Sequence, residues 1–159
     1  MVVLSDTNIL AALDTGILKI EPFNPNNLTP NGYDLTISEI AIPNTTVINE
    51  GTVSIPSNTR FAVSTLERIV CAPDITAQLW LRTSWARKGI MATFGKVDAG
   101  FDGTLTLASF NSDSDKVSIS IGETYAQIVF LKVLPHAQTL FSALLNKGAQ
   151  CICCNYISH

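Results

Sequence analysis

The feature that most limits the fold of this chain is a succession of short β-rich runs, each bounded by Pro, Gly, Asn or Asp, that starts at Tyr33. Residues 33–37, 52–55, 61–63 and 67–71 are rich in β-branched and aromatic side chains, and residues 77–81, 104–110, 117–121 and 125–134 continue the pattern. Strands this short, with no helix alternating between them, exclude a βαβ parallel sheet and point to an all-β sandwich or jelly roll. One helix stands ahead of them. Ser5-Asp6-Thr7-Asn8 offers an N-cap, Ile9, Leu10 and Leu13 follow at helical spacing, and Gly16 closes a helix of about ten residues. Residues 82–90, RTSWARKGI, interrupt the strands with Ala, Arg and Lys and are expected to form a helical turn. No repeat or linker divides the chain, so a single domain over 1–159 is expected, with a helical segment at 1–16 and a tail from about 136 to 159.

Charge narrows the choice of partners. Only 14% of residues are charged, well under the usual share of about 25%, and 47% are apolar, so part of the apolar excess is expected to be buried between subunits. The formal net charge of −3, with no run of like charges, excludes a nucleic acid polymer or an anionic membrane surface as partner, and any phosphate contact must be local. The start, MVVLSDTN, has no basic leader region, and the longest apolar stretch is broken by Lys132, so a soluble cytoplasmic protein is expected. Cys71 is isolated, while Cys151, Cys153 and Cys154 cluster near the end, unlike the framework of a secreted disulfide protein; a reducing compartment fits. Together with His159 that cluster has no second ligand pair for zinc and reads as a disordered or packed tail.

Three segments carry candidate chemistry. In Gly95-Lys96-Val97-Asp98-Ala99-Gly100-Phe101-Asp102-Gly103 a carboxylate precedes an aromatic ring by three residues within a glycine-bracketed turn. Taken alone, an Asp in a turn caps its own backbone more often than it acts as a base. Arg82-Thr83-Ser84-Trp85-Ala86-Arg87-Lys88 sets two hydroxyls and three cations in seven residues, a combination suited to several phosphate oxygens and equally to a solvated helical turn. Gly122-Glu123-Thr124-Tyr125-Ala126-Gln127 opens the long apolar strand with an amide that can donate to phosphate.

In their order and spacing these segments, with LSDTNILAAL and NGYDL before them, resemble the dUTPase and dCTP deaminase superfamily over residues 4 to 134. The resemblance implies a distorted jelly roll that assembles as a homotrimer with active sites shared between subunits. It implies that Asp34 supports the site and that Arg82, Ser84 and Gln127 bind triphosphate, with Gln127 coming from an adjacent chain. Thr83 and Arg87 stand where the deaminases have a functional serine and arginine, and Arg87 is expected to serve as a further phosphate or subunit contact. Phe101 falls where the family packs an aromatic ring on the deoxyribose, which excludes a 2′-hydroxyl. A hairpin around Thr93 to Val97, with Gly95 and Val97 among its contacts, would read the pyrimidine through backbone groups.

One position separates the two activities of the superfamily. Its deaminases carry glutamate in the pattern T-L-E-x-x-N, and here Thr106-Leu107-Ala108-Ser109-Phe110-Asn111 places Ala108 there. A methyl group cannot move the proton that deamination requires. The expectation is therefore a dUTP diphosphatase, with Asp98 activating a water against the α-phosphorus and Mg2+ held through the triphosphate and water rather than by protein ligands. The alternatives are a dCTP deaminase, alone or bifunctional, and a non-catalytic trimeric nucleotide-binding or structural protein. Two departures stand out: Thr124 replaces an arginine common in dUTPases, and SALLNKGAQCICCNYISH lacks their glycine-rich arm, although Lys147 could reach a γ-phosphate.

Overall fold

The computed structural model describes residues 2–134 and 137. Strand β1 (Val2–Val3) leads into helix α1 (Asp6–Asp14), which begins as the sequence predicts. The Ser5 hydroxyl accepts the Asn8 N–H at 3.3 Å while the Asn8 side chain accepts the Ser5 N–H at 3.4 Å, a reciprocal cap that satisfies two otherwise orphaned donors. Ile9 and Ala12 face the core, and Gly16, at φ +74°, takes the left-handed conformation that follows the helix end.

The rest is strand. Leu18–Glu21 (β2), Leu28–Thr29 (β3), Gly32–Ala41 (β4), Thr52–Ile55 (β5), Thr59–Thr65 (β6), Arg68–Cys71 (β7) and Ile75–Leu81 (β8) precede the turn α2 (Thr83–Ala86). Ile90–Ala92 (β9), Lys96–Val97 (β10), Asp102–Gly103 (β11), Thr106–Asn111 (β12), Val117–Ser120 (β13) and Thr124–Lys132 (β14) follow it. Among the described residues the main sheet runs β10-β8-β14-β4-β6-β12-β9, with β1 added to β14 and β3 to β4; β11-β7-β2 and β13-β5 form two small sheets. Every pairing is antiparallel, and the strands curl into the distorted jelly roll expected from the resemblance. Alternating side chains of these strands, among them Leu35, Ile55, Phe61, Val63, Ile69 and Phe130, fill one core. Each fully buried aliphatic or aromatic side chain of that kind contributes about 1.5–3 kcal/mol.

Strand β4 turns the corner of the fold. Its first half pairs with β14 and its second half with β6, with a shift of register on each side. At the change of partner the Thr36 N–H leaves the ladder and donates to Glu67 Oε2 at 2.8 Å, and Glu67 is only 1% exposed.

The expected hairpin at 93–97 does not form. Strand β9 pairs with β12 and β10 pairs with β8, so the two runs flanking Gly95 belong to opposite ends of the main sheet. Residues 93–95 are the link across the seam where the curled sheet meets itself. The sequence shows two β-rich runs beside a glycine, and local pattern does not reveal that each pairs with a distant strand instead. The tail, with Lys147, Cys151, Cys153, Cys154 and His159, lies outside the described residues.

Candidate active site

Register brings the first group of side chains together. Gln127 lies directly opposite Trp80 on one side and Asp34 on the other, so the three share the outer face of the sheet, and Arg82 follows Trp80 by two residues. The bulge between Thr124 and Ala126 keeps this arrangement: Tyr125 and Ala126 are both buried, and Gln127 still faces outward. Arg82 Nε is 3.3 Å from Asp34 Oδ2, and Gln127 Nε2 donates to Thr29 Oγ1 at 3.0 Å. Burial raises the Asp34 carboxyl above its ordinary range, while the Arg82 guanidinium and a hydrogen bond from Gln127 pull it back down. Gly32 permits the close approach, because a Cβ there would lie 2.6 Å from the Ile128 carbonyl oxygen and 3.2 Å from Gln127 Cγ. A guanidinium and an amide held side by side can grip neighbouring phosphate oxygens.

The turn beyond Arg82 is anchored by one ring. Trp85 is buried and its indole N–H donates to the Thr124 carbonyl at 2.9 Å, while Lys88 Nζ sits 4.3 Å from the ring centre. Thr83, Ser84 and Arg87 are exposed around that anchor. The sequence-based reading counts Lys88 with Arg82 and Arg87 as a cation for phosphate, whereas the structure seats it on the Trp85 ring.

The second group lies along the seam. A groove of about 480 Å³ is lined by residues 78–81 of β8 and by residues 92–96. Gly95 is exposed in its wall, whereas Val97 is buried and its carbonyl already accepts the Thr76 hydroxyl at 2.6 Å, so Val97 is less suited to reading a base than expected. Asp98 is exposed, and its carbonyl accepts the Phe101 N–H at 3.1 Å, closing the turn that follows. Phe101 is only 7% exposed: its carbonyl accepts the Cys71 N–H at 2.9 Å, and its ring lies against Gly103. The ring forms a fixed wall, not a free platform.

The two groups are apart. Val97 pairs with Ala77, which sets Asp98 near the start of β8, while Arg82 follows its end. The five residue steps from Ala77 to Arg82 span roughly 17 Å. One chain therefore carries Asp34, Arg82 and Gln127 as one group and the Thr93–Phe101 segment as another. Among the described residues no three His, Cys, Asp or Glu side chains converge as a metal site, and no helix is long and apolar enough to cross a membrane. Sequence reasoning missed Trp80 and the inward-facing Tyr125, whose surroundings depend on cross-strand register.

Comparison with known proteins gives the family and the fold. A family profile described as dCTP deaminase-like matches residues 41–133, over half of the chain. The dCTP deaminase of Thermococcus kodakarensis is 41% identical over 117 residues, covering 72% of this chain and 76% of that protein. The probable deoxyuridine 5′-triphosphate nucleotidohydrolase of Sulfolobus islandicus rod-shaped virus 1 is 30% identical over 148 residues, covering 91% and 93%. The crystal structure of the 2′-deoxycytidine 5′-triphosphate deaminase from Agrobacterium tumefaciens superimposes with a TM-score of 0.69 at 18% identity, over 83% of this chain and 49% of that one, a likeness of fold.

Proposed function

We propose, for a chain that belongs to the dCTP deaminase-like family of the dUTPase and dCTP deaminase superfamily, that it hydrolyses dUTP to dUMP and pyrophosphate. The observation that carries this reading is Ala108. It is exposed on β12, opposite Ala62, and β12 contains no acidic residue. By the resemblance, a deaminase would hold its proton-transferring glutamate there; loss of such a group lowers a rate by about 10²–10⁴. The likeness to the viral nucleotidohydrolase, over 91% of this chain, also supports it.

In this reading the Asp98 carboxylate takes a proton from a water that attacks the α-phosphorus, a new P–O bond forms, and the bond to the β-phosphate oxygen breaks to release pyrophosphate. Arg82, Thr83, Ser84 and Gln127 hold the phosphate oxygens, and Arg87 adds positive charge. A Mg2+ ion held by the triphosphate oxygens and water, with no protein ligand, would supply positive charge for the leaving pyrophosphate. Phe101, packed against Gly103, is the wall that leaves no room for a 2′-hydroxyl. The separation of Asp98 from Arg82 supports a site completed between copies, in a homotrimer as the resemblance implies.

A second reading, dCTP deamination, is favoured by kinship: the 41%-identical relative carries that name. The purified protein and its Asp98→Asn variant, incubated with dUTP and separately with dCTP in the presence of Mg2+, distinguish the two. Pyrophosphate from dUTP, lost in the variant, is the expected result; ammonia from dCTP would overturn it in favour of the second reading.

A further inference from the structure

We infer that Tyr125 is a positioning residue that holds the Arg82–Lys88 turn and the 93–95 link at their working separation. The inference rests on the proposed diphosphatase reading and adds a residue to it. Tyr125 is 1% exposed and lies beneath both limbs. Its ring centre is 5.7 Å from that of Trp85, which anchors the turn, and 6.3 Å from that of Phe94, which lies in the seam link. Phe61 closes the cluster edge-on at 6.4 Å. Aromatic pairs at these distances contribute about 0.5–1.5 kcal/mol each beyond their burial. The backbone adds two tethers: the Tyr125 carbonyl accepts the Arg82 N–H at 3.2 Å, and the Thr124 carbonyl accepts the Trp85 indole N–H at 2.9 Å.

The phenol fixes the ring against a third element. Its O–H donates to Ser109 Oγ at 2.7 Å on β12, where Ser109 pairs with Ala92 at the start of the groove. Burial keeps this phenol neutral by pushing its ionisation upward, so it remains a donor throughout the physiological range. Gln127 is two residues along the same strand. A single buried ring thus bears on the phosphate-facing turn, the wall of the seam groove and the strand that carries Ala108. Small shifts of such parts can change a rate by about 10²-fold.

The test compares kcat and KM for dUTP in the wild type and in Tyr125→Phe, Tyr125→Leu and Phe94→Leu, below the melting temperature of each. Tyr125→Phe keeps the ring and should stay within about threefold of wild type. Tyr125→Leu should lose about tenfold or more in kcat/KM, and Phe94→Leu, at a half-buried position, should raise KM with a smaller effect on kcat. A folded Tyr125→Leu or Phe94→Leu with wild-type kcat and KM overturns the inference, because a purely structural ring would lower only the melting temperature. If the wild type releases no pyrophosphate from dUTP, the diphosphatase reading fails by itself. Binding of dUMP and of pyrophosphate then tests the positioning role: both should weaken in Tyr125→Leu, and unchanged affinities overturn it.

Discussion

Glu67 Oε2 lies 2.8 Å from the backbone nitrogen of Thr36, replacing the ladder partner that β4 gives up as it passes from β14 to β6. The bond is fixed from behind: Thr65 Oγ1 donates to the Glu67 carbonyl at 3.0 Å and accepts the Leu105 N–H at 3.0 Å. Glu67→Ala would leave the partly buried Thr36 N–H without this partner and should destabilise the protein by about 1–3 kcal/mol. Glu67→Gln retains an acceptor oxygen and should lose less. Urea unfolding of both variants checks this, and an alanine variant as stable as wild type would remove the corner's explanation.

Asp34 links stability to pH with a definite sign. Its carboxyl is raised above the ordinary 3.8 by burial, against opposing contributions from Arg82 and Gln127, so the folded chain holds this proton more tightly than the unfolded one. Stability should therefore decline as pH rises through the window just above 3.8. Asp34→Asn should flatten that decline and leave the protein at least as stable at neutral pH, while KM for dUTP rises severalfold as Arg82 loses its partner. Unfolding curves through the mildly acid range measure the slope; a steeper slope in the variant contradicts the assignment.

The proposed completion of the site between copies is open to a sharp mixing experiment. Asp98→Asn and Arg82→Ala should each be nearly inactive alone. Refolded together in equal amounts, they should recover up to about a quarter of wild-type dUTP hydrolysis, because that share of sites receives the intact half from each neighbour. No recovery, with assembly intact, would mean that each chain completes its own site.

Gly32→Ala should separate packing from chemistry. The added methyl meets a backbone oxygen at 2.6 Å, which no rotamer can relieve. Stability should fall by about 1–3 kcal/mol, and pyrophosphate affinity should fall with it as Gln127 is displaced. A melting temperature equal to wild type would show that β14 can retreat without strain.

Much of this was legible in the sequence, for identifiable reasons. Residues 52–55 form a strand over the range predicted, because alternation within four residues suffices when turn formers stand on both sides. The helix at Asp6–Asp14 follows from its cap and apolar spacing. Two-residue strands such as Lys96–Val97 and Asp102–Gly103 have no period to detect, and their existence depends on distant partners. The same limit explains the hairpin that does not form at 93–97. It also explains why Asp34, Arg82 and Gln127 were recognised singly while Trp80 beside Gln127 was not: that pairing is a matter of register between β8 and β14. The sequence assigns Phe101 a place beside the sugar but does not show that its ring lies against Gly103, a contact set by the turn that carries both.

Strand β14 occupies the middle of the main sheet, between β8 and β4, although it follows all the other described strands in the chain. During synthesis the two strands that flank it emerge with unpaired edges and wait for residues 124–132 to leave the ribosome. Open edges of that kind are templates for pairing with other nascent chains. Closure of the sheet therefore waits on residues 124–132 and is set by contacts far apart in sequence, so folding is expected to be slow. A premature stop ahead of Thr124 would release a product with a missing centre, a substrate for chaperones and proteases and not a smaller version of the fold.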